Sequence, residues 1–150
     1  MEFSHIDKEG KVKMVDISGK EVVKRTARAS STVRMAPETA AMLKDKLLKK
    51  GDAAAAAKLA GIAGAKRTWE LIPLCHNIPI DTVDVSVDIR EDSVRITAEA
   101  VCTWKTGIEM EALTAVSVAA LTIYDMCKAV DKNKEITGIK LLEKKKEKIQ

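Results

Sequence analysis

Four ionisable side chains sit on a stretch that is otherwise apolar. Residues 107 to 130 carry Glu109 and Glu111 at one end and Asp125 and Lys128 at the other. Asp125 and Lys128 are three apart, so on a helix they are neighbours and can pair. Among Ile123, Tyr124, Met126, Cys127 and Val130 such a pair can take shifted pKa values and serve as acid and base. The plainer reading is a surface ion pair worth about 0–1 kcal/mol. Glu109 and Glu111 are two apart, which separates them by about 200° on one continuous helix. Either one faces solvent or the helix begins between them, and as first-turn acids both also suit the helix dipole. Glu111 and Asp125 are separated by about 21 Å along a helix. One small ligand does not touch both within one subunit. If both ends work, a second copy must bring its own end close, and the narrow run Ala115 to Ala120 suits close packing of helices. The expectation is a pocket completed across a two-fold interface.

Two further groups are candidates. His76 stands beside Cys75 in Leu71-Ile72-Pro73-Leu74-Cys75-His76-Asn77-Ile78-Pro79-Ile80, an apolar segment made rigid by its prolines. The histidine is either a satisfied loop residue or a proton-transfer group. Cys75 as a nucleophile lacks an assured basic partner. Lys50 precedes Gly51 and reads first as a helix C-terminal cation complementing the dipole. Arg25 and Arg28 are solvated surface arginines or phosphate contacts. No spacing of histidine, cysteine and carboxylate supports a metal site, and the usual glycine-rich phosphate loop is absent.

The elements that must position these groups follow from pattern. Lys11 to Val15 alternates polar and apolar residues and predicts a short strand, and residues 22 to 35 predict another extended region. Pro37 opens a helix that should run to Gly51, burying Met42, Leu43, Leu47 and Leu48. Asp52 caps a second helix through the alanine run to about Glu70, where Gly61 and Gly64 predict close approach of another backbone. Residues 82 to 90 alternate strictly, as do Val94, Ile96, Ala98, Ala100, Cys102 and Trp104, which predicts a hairpin with one greasy face. The apolar helix follows, with Leu113, Val116, Ala120, Ile123 and Met126 turned to the core, then a last strand around residues 137 to 142. Residues 1 to 10 and 143 to 150 read as loosely held ends. The mixture without a regular βαβ rhythm predicts an α+β fold, an antiparallel sheet with helices on its greasy face, in one domain spanning residues 1 to 150.

Composition narrows the function. The chain has 150 residues, 46% hydrophobic and 32% charged, with a net charge of +4. That suits a globular domain. Basic and acidic residues are intermixed and aromatics are 3%, whereas a nucleic-acid binder shows a basic stripe with stacking platforms. No nucleic-acid partner is expected, and no membrane span is read. Three cysteines without a C-x-x-C pair point to a reducing cytoplasm rather than a disulfide framework.

Several blocks occur together: Met14-Val15-Asp16-Ile17-Ser18, Lys50-Gly51-Asp52, Ala65-Lys66-Arg67-Thr68-Trp69, Leu71 to His76, Gly107-Ile108-Glu109-Met110-Glu111-Ala112-Leu113-Thr114 and Tyr124-Asp125-Met126-Cys127-Lys128. In this order, over about residues 5 to 142, the chain resembles the molybdenum cofactor biosynthesis protein C family, the cyclic pyranopterin monophosphate synthases. Asn77 departs from the proline often found there. The resemblance implies a ferredoxin-like fold, a lyase, and conversion of (8S)-3',8-cyclo-7,8-dihydroguanosine 5'-triphosphate to cyclic pyranopterin monophosphate with release of diphosphate. It implies a homohexamer built from dimers with the pocket at a dimer interface, and no cofactor. It implies Asp125, Lys128, Lys50 and His76 as catalytic groups, and Leu74, Cys75, His76, Glu109, Met110 and Glu111 as substrate contacts. Cyclising one phosphate while expelling diphosphate needs cations, for which Lys50 and Lys128 stand first and Arg25, Arg28 and Lys66 further out.

Overall fold

A computed structural model describes residues 3 to 150. The order is β1 (Val23–Arg34), α1 (Pro37–Lys44), α2 (Ala53–Lys66), the single turn α3 (Thr68–Leu71), β2 (Ile80–Ile89), β3 (Ser93–Trp104), α4 (Glu109–Cys127) and β4 (Glu135–Glu147). The strands form one antiparallel sheet in the order β2-β3-β1-β4. With α2 and α4 against one face this is the α+β arrangement that the pattern predicts, in the ferredoxin-like form that the resemblance implies.

The sheet carries small residues where the helices lie. Ala27 pairs with Ala100, Ala29 with Ala98 and Val33 with Val94, and all six are buried. The helix α4 turns Ala112, Ala115, Val116, Ala119, Ala120 and Ile123 inward at helical spacing. Leu113 and Met126 are half-buried at its flanks. Its length and composition would allow a membrane span, but here it is the core helix of the domain. Side-by-side seating of α2 and α4 depends on Gly61: a Cβ there would lie 2.9 Å from the Ala115 carbonyl oxygen and 3.2 Å from Val85. The close approach anticipated for this glycine is therefore backbone against backbone.

Helix boundaries differ from the expected ones in ways that matter. Asp52 caps α2 as expected, its Oδ1 accepting from the Ala55 N–H at 3.1 Å. The helix stops at Lys66, and Thr68 continues as the separate turn α3. The helix α1 ends at Lys44, not at Gly51, because Lys46 takes φ 57° and the Leu47 N–H turns back to the Met42 carbonyl. Leu47, expected in the buried face, is exposed, whereas Leu48 is buried. Lys50 consequently lies on a connecting loop and is not a helix C-terminal cation.

The other end of α1 is tied to α4. Asp131, just beyond α4, accepts from the Ala36 N–H at 2.9 Å and from Thr39 Oγ1 at 3.1 Å, supplying the cap that Ala36 lacks. Lys134 donates to the Asp131 carbonyl and lies 4.3 Å from the centre of the Tyr124 ring.

Residues 11 to 15 do not form a strand. Among the described residues they make one isolated bridge, Ile6 with Val12, flanked by the Lys13 N–H to His5 carbonyl and Asp7 N–H to Lys11 carbonyl bonds and closed by Asp7 Oδ1 accepting from the Glu9 and Lys11 N–H groups. Val12 and Met14 are exposed, so the alternation has no sheet to face. At the other terminus β4 runs on to Glu147, and the charged segment from Glu143 pairs with residues 24 to 28 of β1.

Candidate active site

The charged groups collect at the two ends of α4. At its start lies a cavity of about 370 Å³, walled by Leu74, Cys75, His76 and Ile78, by Thr106, Gly107 and Glu109 to Glu111, and by Val15, Ile17, Lys20 and His5 of the amino-terminal segment. The proline-bounded segment after α3 supplies one wall, as its rigidity suggests. His76 Nε2 lies 2.8 Å from the Val15 carbonyl oxygen. A carbonyl only accepts, so Nε2 holds the hydrogen and the neutral ring keeps Nδ1 as an acceptor. That bond pins the amino-terminal segment over the cavity, and Lys105 Nζ donating to the Ser18 carbonyl at 3.1 Å pins it again.

Both glutamates line this cavity, although their spacing predicted divergence. Glu109 is the first residue of α4, and its carboxylate folds back over Gly107; a Cβ on that glycine would lie 2.0 Å from Glu109 Oε2. Lys144 Nζ lies 2.6 Å from Glu109 Oε1. Burial alone pushes Glu109 up, but Lys144, its own backbone N–H and the nearby Arg25 outweigh burial and hold the carboxyl below its ordinary range. Glu111 has no such cation among the described residues and is 3% exposed. Burial pushes it up to about 7, with the Glu109 charge adding and its own backbone N–H subtracting. One oxygen of each carboxyl, Oε2, is buried without a hydrogen-bond partner. The Cys75 thiol is also pushed up, by burial and then by Glu111 and Glu109. It is thereby kept from the thiolate form, which disfavours a nucleophilic role.

At the far end of α4, Asp125 bridges two lysines. Oδ1 lies 2.8 Å from Lys128 Nζ, and Oδ2 lies 2.9 Å from Lys50 Nζ, which also donates to the Asp125 carbonyl at 3.2 Å. The apolar setting expected for this pair is not what surrounds it within one chain: about half of each side chain is exposed. Asp125 points away from the face that buries Ile123 and Cys127. Hydrogen bonds from Lys128 and then Lys50 bring its carboxyl down to about 2, and Asp125 in turn raises Lys128. Asp125 and Lys128 thus each favour the charged form of the other.

The arginines have other employment. Arg25 donates to the Trp104 and Lys105 carbonyls at 3.1 Å each. Arg28 stands 3.8 Å from both Glu99 and Glu143. The group missed from sequence is Lys144, hidden in a tail that reads as solvent-facing. Its signal is register: Lys144 pairs with Ala27, whose side chain faces the helices, so Lys144 turns the same way. Among the described residues no group of three or more histidine, cysteine and carboxylate side chains is arranged to hold a metal.

A model of the MoaC family matches residues 14 to 147, which takes in both ends of α4 and Lys144. The chain belongs to the MoaC family. Among its relatives, the cyclic pyranopterin monophosphate synthase of Peptoclostridium acidaminophilum is 52% identical over 144 residues, 96% of this chain and 92% of that protein. Cyclic pyranopterin monophosphate synthase 1 of Mycobacterium tuberculosis is 55% identical over 143 residues, 95% of this chain and 84% of the relative. A molybdenum cofactor biosynthesis bifunctional protein of Chlorobaculum tepidum is 55% identical over 141 residues, but this MoaC chain spans only 45% of that longer protein.

Proposed function

We infer that the chain is a cyclic pyranopterin monophosphate synthase of molybdenum cofactor biosynthesis, a lyase that releases diphosphate from a nucleotide-derived triphosphate. The observation that carries this is identity above one half with synthases so named, over nearly the whole of this chain and most of theirs. The charge layout supports a division of labour. The cavity at the start of α4 holds two carboxyls and suits an uncharged heterocycle with hydrogen-bond donors. A triphosphate beside Glu109 would be repelled. The triphosphate belongs with Lys50 and Lys128, whose ammonium groups offset charge on the leaving diphosphate. Substrate displaces part of the Asp125 ion triad, and Asp125 orients the two lysines or takes a proton once they are engaged. His76, with Nδ1 able to accept, is the proton-transfer group on the heterocycle side.

Because about 21 Å of helix separates the two ends, one copy of the chain does not offer both to one substrate. A homo-oligomer built from two-fold pairs, extending to a hexamer, brings the start of one α4 to the end of another. The three free thiols accord with a reducing cytoplasm.

The test is incubation with the cyclised nucleotide, following diphosphate and a pterin chromophore. Wild-type protein yields both, and Asp125→Ala and Lys128→Ala, folded, yield neither at a comparable rate. Near-normal turnover by either variant would remove that residue from the mechanism. Inactivity of the wild-type protein on this substrate would overturn the assignment.

A further inference from the structure

The two carboxyls at the head of α4 are built differently. Glu109 has a counter-ion, Lys144 at 2.6 Å, and space over Gly107 to reach it. Glu111 is 3% exposed, and its Oε2 is enclosed without any hydrogen-bond partner. The ionisable groups around it are Glu109 on its own helix, Cys75 and His76 on the proline-bounded wall, Cys102 on β3 and Arg25 on β1, with His5 and Lys20 across the cavity. None of the cations among them stands within ion-pair distance of Glu111 among the described residues. Arg25 spends its guanidinium on backbone carbonyls, and Lys144 is engaged by Glu109. A buried carboxylate with no cation, and with one oxygen that meets no donor, is costly, and the group relieves that cost by keeping its proton.

We propose that Glu111 stands in the pocket as a neutral carboxylic acid beside an ionised Glu109, so that a bound heterocycle meets one O–H donor and one anionic acceptor side by side. This makes Glu111 a specificity-determining residue, and it rests on the synthase assignment only for the identity of the ligand. A ring edge with a carbonyl next to N–H groups, as in a guanine-derived ring, matches the pair: its carbonyl accepts from Glu111 and its N–H groups donate to Glu109. Two carboxylates would instead turn a lone pair toward that carbonyl. Loss of the Glu111 proton therefore weakens binding of such an edge.

The direct experiment uses full-length protein labelled with carbon-13 at the glutamate side-chain carboxyl, without ligand. Glu111→Gln removes one resonance and so assigns it. Titration of that resonance with a midpoint near 7 is the expected result, and a midpoint at the ordinary 4.5 overturns the proposal. Turnover gives a second reading. Glu111→Gln supplies a neutral N–H donor, so it recovers about tenfold of the rate lost in Glu111→Ala. It also removes the fall in kcat/KM that wild-type protein shows as pH rises through 7. Recovery absent, or the alkaline fall unchanged, overturns the proposal. Protein that titrates near 7 but does not turn over the cyclised nucleotide leaves the proton on Glu111 and refutes the synthase assignment instead.

Discussion

Replacing Glu111 with glutamine changes how stability depends on pH, by an amount the structure sets. In the folded chain the Glu111 carboxyl titrates at about 7 against an ordinary 4.5. Each tenfold step in proton affinity is about 1.4 kcal/mol, so the full difference is about 3 kcal/mol. The sign follows from which state holds the proton. Below 4.5 both states are protonated and nothing is lost. As pH rises, the unfolded chain gives up its proton first, and stability falls until the folded carboxyl also ionises near 7. Between pH 5 and 8 the wild-type chain should lose about 2–3 kcal/mol that Glu111→Gln does not lose. The other perturbed carboxyls run the opposite way. Glu109, Asp125 and Asp131 are held below their ordinary range, so their contributions are complete above that range and vanish only at acid pH. Subtracting variant from wild type removes what remains, the histidines included. The assay is urea unfolding of both proteins at pH 5 and pH 8 at one protein concentration, since subunit association also shifts apparent stability. In thermal unfolding the same loss lowers the wild-type Tm by roughly 5–10 °C relative to the variant, at about 2–4 °C per kcal/mol for a chain of this size. A wild-type-minus-variant difference equal at the two pH values would refute the reasoning, because Glu111 would then ionise alike in both states.

Two glycines give sharper local tests. Gly61→Ala places a methyl 2.9 Å from the Ala115 carbonyl oxygen, so α2 and α4 must part; the strain of about 1–3 kcal/mol exceeds the helix-propensity gain of about 1 kcal/mol, and urea unfolding should show a net loss. Gly107→Ala meets the carboxylate at the tip of a flexible side chain, with Glu109 Oε2 at 2.0 Å and Oε1 at 2.7 Å. It should displace that carboxylate from Lys144 and lower kcat/KM by about tenfold or more, while unfolding free energy moves by less than about 1 kcal/mol.

How much of this was readable in the chain differs by element. The hairpin of β2 and β3 was plain because strict alternation of Val83, Val85, Val87 and Ile89 with polar residues leaves one pairing face. The core helix and the Asp52 cap were plain for equally local reasons. The amino-terminal segment was not, since alternation in Lys11 to Val15 carries no information about whether a sheet edge lies near. The end of α1 was misplaced because Lys46 adopts a left-handed conformation that glycine usually signals. At the site, the residue types and the separation of two charged ends were legible. The environment was not: sequence neighbours of Asp125 are apolar, but a helix turns them to the opposite side. Lys144 was invisible because its role depends on a pairing with β1 more than a hundred residues away.

The central claim is that each active site draws one half from each of two chains. Co-expressing Asp125→Ala subunits with Glu109→Gln subunits tests it most directly, because each variant disables an opposite end of α4 and should be inactive alone. Where copies pair at random across a two-fold axis, half the pairs are mixed, and each mixed pair rebuilds one intact site of two. Activity should therefore return to about one quarter of wild type. Mixed oligomers no more active than either variant alone would contradict the account and place the whole site within a single chain.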